Sequence, residues 1–225
     1  SFGYYDAYID IRLKGLHLDE PDLVARLEAI PETAPIPVEV SIDLGPLYHL
    51  GEVRLEGEIP AKARAAFKLE PGQPALASSV LAAGQAVLTT LREEGYALAT
   101  IPAPEVLVIH ATRTMNVTYT ASPGPRLAIG TVTIRGLDRL QEDYVRRRLG
   151  LEPGEIYSPS RLERARRDLT DGGALASARF IPGTKPDASG ELPLTLEVSE
   201  RPPRVLRFAG AYSTDEGGSL SSSWT

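Results

Sequence analysis

The chain has 225 residues, 24 basic against 30 acidic side chains, a net charge of −6 and no cysteine. The missing thiols exclude disulfides, thiolate metal sites and cysteine nucleophiles, and the acidic balance argues against nucleic acid, whose binding needs a cationic face. Its 20 Gly and 19 Pro make it rich in turns, and no run of about 20 apolar residues could form a membrane-spanning helix.

Residues 1–45 hold 9 acidic and only 3 basic groups, so the acidity gathers at the N-terminal end. A strand is predicted over Tyr8–Leu13. Asp19-Glu20-Pro21 suits an N-cap and first helical turn, which predicts an extra helix to about Ile30. Val38–Pro46 matches Val117–Pro125, and Gly3-Tyr4-Tyr5 is similar to Gly95-Tyr96-Ala97. Residues 1–45 therefore read as the second half of a unit whose first half is missing. With neither an initial Met nor a leader, the chain reads as a piece of a longer protein.

Residues 46–124 form one unit. Leu50–Leu55 alternates between Gly51 and Gly57 and predicts a strand. Ala61–Lys68 predicts a short helix after Pro60, and Pro71-Gly72 breaks the chain. Ser78-Ser79 can cap a longer helix, whose stripe is Val80, Gly84, Val87, Leu88 and Leu91. Gly95 ends it. Two strands follow, Ala97–Ile101 and Met115–Ala121, around a long loop bearing prolines.

Residues 125–200 repeat this β-α-α-β-β order. The strand is Ala128–Ile134 and the short helix Gln141–Leu149. After Pro153-Gly154, Ser158-Pro159 opens a helix with Leu162, Ala165 and Leu169 on one face. Gly172-Gly173 stops it, and Ala176–Ile181 and Leu192–Val198 close the unit. The repeat is literal: Pro46–Gly57 returns as Pro125–Gly136, and Leu69-Glu70-Pro71-Gly72 returns as Leu151-Glu152-Pro153-Gly154. Matched landmarks at a long period mean tandem copies of one small domain. Two helices per unit must cover one face of a three-stranded sheet, which gives an open α+β sandwich.

Residues 201–225 change character. Arg201-Pro202-Pro203 is a stiff stop. Arg204–Tyr212 and Ser219–Thr225 alternate around a turn, with large residues on one face, which suits a transmembrane-barrel hairpin.

Chemistry of a catalytic kind has little footing. His17, His49 and His110 lie apart without ligand spacing, and no phosphate loop or nucleophile elbow occurs. No cofactor, metal or reaction is expected. Arg146, Arg147, Arg148, Arg161, Arg164, Arg166 and Arg167 form a cluster. It reads as a solvated face laced with acids, or as a contact for lipid headgroups or an acidic partner. The physical candidate is a sheet edge, whose unpaired backbone groups can accept an extended chain. The candidate edge residues are Ala97, Leu98, Ala99, Thr100 and Ile101 in one unit. In the other they are Ala176, Ser177, Ala178, Arg179 and Phe180. A proline follows each stretch, at Pro102 and Pro182, and can blunt such an edge.

The repeat resembles the POTRA (polypeptide-transport-associated) family. The resemblance rests on Gly51 to Gly57 and Gly130 to Gly136 around the first strand, the Leu-Xaa-Pro-Gly elements and Gly95-Tyr96 after the long helix. It covers essentially the whole chain. POTRA arrays precede the barrel in the outer-membrane assembly-factor superfamily that includes BamA and TamA, and Glu200–Gly217 is similar to the entry into a TamA-type barrel. The resemblance implies a periplasmic arm at the bacterial outer membrane that guides unfolded outer-membrane or autotransporter polypeptides. It further implies a TamB-like inner-membrane-anchored partner. The alternatives are a BamA-like or two-partner-secretion transporter arm, or a POTRA scaffold that only docks partner subunits.

Overall fold

A computed structural model describes residues 2–13, 15–21, 23–28, 37–202, 206–213 and 217–224. The chain divides into two compact units. One comprises Ser1–Leu91 with Ala99–Gly124; the other comprises Arg92–Leu98 with Pro125–Thr225.

The first unit opens with β1 (Tyr8–Leu13), the two-residue β2 (Leu16–His17), α1 (Leu23–Glu28) and β3 (Val38–Asp43). These strands form a sheet in the order β2-β1-β3. The extra helix is the short α1, and β2 is an element the sequence pattern did not signal. There follow β4 (His49–Glu56), α2 (Ala61–Ala65), α3 (Ala77–Glu93), β5 (Glu105–Ile109) and β6 (Thr114–Thr120). The order is β4-β6-β5, with β4 parallel and β5 antiparallel to the central β6. A parallel neighbour needs a crossover connection, and the two helices supply it.

The core follows from the pattern. In α3, Val80, Ala83, Val87 and Leu91 are buried, one stripe at helical spacing. Val80 and Ala83 pack with Met115, Val117 and Tyr119 of β6, which are also buried. Gly84 and Leu88 are only half-buried, so Ala83 takes the place that the sequence pattern gave them. Tyr119 fixes helix to sheet, its hydroxyl donating to the Val80 carbonyl at 2.6 Å. Burial pushes that hydroxyl up to about 12. Ser78 and Ser79 do not precede α3 but lie in its first turn, since the helix already begins at Ala77.

Residues 3–6 are bound to the start of β4. The Tyr48 N–H donates to the Gly3 carbonyl at 2.9 Å, and the Tyr5 hydroxyl donates to the Ala75 carbonyl at 2.9 Å. The Tyr48 hydroxyl is fully buried and donates to Asp6 Oδ2 at 2.5 Å, with His110 Nδ1 at 2.8 Å. Burial and then the Asp6 carboxylate push this phenol up to about 12.

The second unit contains β7 (Ile129–Arg135), α4 (Glu142–Leu149), α5 (Pro159–Asp171), β8 (Leu175–Pro182) and β9 (Leu192–Glu200). Its sheet, β7-β9-β8, has the same parallel and antiparallel senses. Ser158 caps α5, accepting the Arg161 N–H, and Pro159 opens the helix. Leu162, Ala165 and Leu169 are buried, as are Leu192, Leu194 and Leu196 of β9. The Leu127 N–H donates to the Gly95 carbonyl at 2.8 Å, the counterpart of the Tyr48–Gly3 bond. β10 (Leu206–Ser213) and β11 (Gly217–Trp224) pair as an antiparallel hairpin.

Candidate docking edges

Each complete sheet has a parallel first strand on one side and an antiparallel second strand on the other. The first-strand edges are partly occupied. On β4, the Leu50 N–H donates to Gln73 O at 2.7 Å and Leu50 O accepts from the Gly72 N–H at 2.7 Å. On β7, Ile129 does the same with Glu155 and Gly154, at 2.7 and 2.8 Å. Arginines close more of these edges. Arg64 reaches Leu55 O at 3.4 Å on β4, and Arg146 reaches Val132 O at 3.1 Å on β7. The second-strand edges, β5 and β8, end their sheets.

The two candidate stretches fare differently. Ala176–Phe180 lies within β8, whose ladder with β9 runs from Leu175 to Pro182. Ala178 points inward and is buried, while Ala176, Ser177 and Arg179 are exposed. Ala97–Ile101 is not an edge strand, and this corrects the expectation. Ala97 and Leu98 are half-buried against the core of the second unit. Ala99 is 1% exposed. Thr100 makes a single antiparallel bridge with Ser122, both N–H···O bonds at 2.9 Å. The pairing then breaks over Ile101-Pro102-Ala103-Pro104, because neither proline can donate to a ladder. It resumes at Glu105–Ile109, the actual edge strand. There Val106 and Leu107 are 48% and 62% exposed. The signal was present as a β-branched run bounded by Pro104 and a turn.

Each unit has a groove against its long helix. The first is lined by Val80, Leu81, Gly84, Leu88, Pro102 and Tyr119 and is largely apolar. The second is lined by Tyr157, Leu162, Arg166, Arg179, Phe180 and Pro182 and carries two guanidinium groups. Much of the arginine cluster is paired locally: Arg146 with Glu142, Arg161 with Glu155 and Arg166 with Glu163. Arg166 holds the Glu163 carboxyl below its usual range.

Residues 127–201 match the family model POTRA, described as surface antigen variable number repeat. The outer membrane protein assembly factor BamA of Neorickettsia risticii (strain Illinois) is 28% identical over 131 residues, 58% of this chain. The chain spans 17% of the length of that relative. The BamA POTRA3-5 structure of Haemophilus influenzae shares the fold at a TM-score of 0.59 and 19% identity, over 89% of this chain and 75% of that one. BamA of Haemophilus ducreyi lacking POTRA domains 1-3 gives 0.59 and 17%, over 78% and 34%. Residues 127–201 thus carry the POTRA match, and residues 46–124 repeat their β-α-α-β-β order and sheet topology. Among the relatives compared, BamA carries the likeness in both sequence and fold.

Proposed function

We propose that this chain is the periplasmic arm of an outer-membrane protein assembly factor, and that β5 and β8 receive extended β-rich clients by strand addition. The observation that carries the reading is the asymmetry of the edges. All four outer strands end their sheets, but the first strands are partly occupied by the 72–75 and 154–157 segments and by Arg64 and Arg146, whereas among the described residues no such segment bonds to the outer side of β5 or β8. Main-chain bonds impose little sequence preference, which suits a binder of many clients. The arm binds and guides; no reaction or cofactor enters this reading.

The β10–β11 hairpin is read as the first hairpin of a transmembrane barrel. Its strands have eight residues each, near the 9–11 or so that span a bilayer, and their sequences alternate. A TamA-like role in autotransporter assembly, with a TamB-like partner, is the finer form of the proposal. It rests on the similarity at Glu200–Gly217.

A photo-crosslinking residue at Leu107 or Arg179 tests it. Unfolded outer-membrane polypeptides should crosslink there, and much less at the exposed first-strand positions Arg54 and Thr133. Equal labelling at all four sites would remove strand addition and favour a scaffold that only docks partner subunits.

A further inference from the structure

We infer that the second-strand edges sort extended segments by charge: Arg179 makes β8 prefer a strand with a carboxylate beside it, and Glu105 makes β5 prefer one with a cationic side chain. This rests on strand addition at β5 and β8 and adds what those strands must carry.

The ladders fix which side chains an added strand meets. On the second sheet the Gly183 N–H donates to Pro193 O at 2.8 Å. Counting back along the antiparallel register, Ile181, Arg179 and Ser177 direct their backbone groups to β9, and Ala178 and Phe180 turn theirs outward. On the first sheet Thr100 and Ser122 exchange both N–H···O bonds at 2.9 Å. By the same alternation Glu105, Leu107 and Ile109 direct theirs to β6, and Val106 and Val108 turn theirs outward. An antiparallel strand bonded to the outward residues sets its alternate side chains beside Arg179 or Glu105 on the solvent face. These are the closely spaced pairs, where charge is felt most.

The two solvent faces present opposite signs there. Arg135 of β7 and Arg179 of β8 both lie level with Glu197 of β9, and all three are exposed. The row runs cation, anion, cation, and a carboxylate on an added strand continues it. Across the first sheet, Arg54 of β4 and Glu105 of β5 lie level with Thr118 of β6. Arg54 is held by Glu52 at 2.6 Å, and Thr118 is uncharged, so Glu105 is the outermost charge of its row. Among the described residues neither Arg179 nor Glu105 makes an ion pair. A charge on an edge can also serve only to repel other strands. A guard of that kind needs no particular sign, whereas the Arg135–Glu197–Arg179 row has a place for one sign alone.

Three eight-residue peptides of alternating valine and threonine test this on the 225-residue chain. One central threonine is replaced by glutamate, glutamine or lysine. A residue-resolved NMR titration reads the dissociation constant at each edge. At β8 the glutamate peptide should bind about two- to fivefold more tightly than the glutamine peptide, and the lysine peptide more weakly than either. At β5 the order should reverse. Arg179→Gln should level the three at β8 and Arg179→Glu should invert them, each leaving β5 unchanged. Added salt should shrink the differences, because these charges are exposed. Equal affinity of the three peptides at each edge, or the same order at both, would overturn the inference and leave strand addition standing. A uniform gain for all three peptides in Arg179→Gln would also overturn it, making Arg179 a guard of the edge. Binding of no peptide at either edge would remove strand addition itself, and the inference with it.

Discussion

The Glu200 carboxylate accepts the Leu140 N–H at 2.8 Å, tying the last residue of β9 to the loop that follows β7. The same oxygen accepts the N–H groups of Asp138 and Arg139, each at 2.9 Å. The Arg139 side chain continues to the Arg201 carbonyl at 2.7 Å. These donors, Leu140 first, hold the Glu200 carboxyl at about 2 against an ordinary 4.5.

The sign of the pH dependence follows. A carboxyl with a lowered folded pKa adds stability above its unfolded value, and that stability fades as pH falls through 4.5 toward about 2. Glu200→Gln keeps an acceptor oxygen and removes the charge. Its melting temperature should lie below that of the parent near neutral pH. The gap should narrow steadily below about pH 4.5. Parallel melting curves at every pH, read by circular dichroism, would contradict the assignment.

The glycines that end the repeated first strand are fixed by close approach. Gly57 and Gly136 have φ of +113° and +88°. A Cβ on either would stand 2.3 Å from Ala121 O or 2.1 Å from Val198 O. Gly136→Ala should therefore cost about 1–3 kcal/mol through backbone strain alone. The backbone clash adds to this. Urea titration measures the loss. A value within error of the parent would mean that the strand end can relax.

Val87 is fully buried on α3, while Leu88 is half-buried at the rim of a groove. Val87→Asp would bury an unpaired carboxylate and should cost about 3 kcal/mol or more. Leu88→Asp can turn its charge toward solvent and should cost distinctly less. Thermal melting of both variants tests the pair; equal losses would mean that the helix face is rotated from the one described.

Proline substitution separates the two candidate stretches. In β8 it removes a donor, so positions whose N–H faces outward should keep the fold and lose client crosslinking. A scan over Ser177, Ala178 and Arg179 should show this alternation. Ala99→Pro falls in a buried, bridged segment and should instead lower stability, with no selective loss of client contact. Melting and crosslinking measured together distinguish the outcomes.

What the sequence disclosed was local. The β-α-α-β-β order followed from alternation, helical spacing and the Pro-Gly breaks, because each is written within about ten residues. The strand at Glu105–Ile109 was hidden by its neighbours. Ile101-Pro102 looked like a strand terminus, and the Val106–Ile109 run lacks polar alternation. The order of strands in the sheets, which decides which edges are open, depends on pairings such as Leu55 with Tyr119, 64 residues apart. The arginine caps on β4 and β7 and the Asp6–Tyr48–His110 contacts likewise join residues whose types carry no mark of their partners. The glycine landmarks were visible as a repeat, but their reason, carbonyls lying about 2 Å from an added Cβ, needed the fold.

On the proposed function, the second-strand edges, and not the first, receive client. Backbone amide exchange, measured residue by residue with and without an excess of an extended peptide from an outer-membrane β-strand, tests it most directly. Protection should be added along Glu105–Ile109 and Leu175–Pro182, with β4 and β7 unchanged. Protection confined to β4 and β7, or spread over the arginine-bearing helices α4 and α5 with β5 and β8 unaffected, would contradict it.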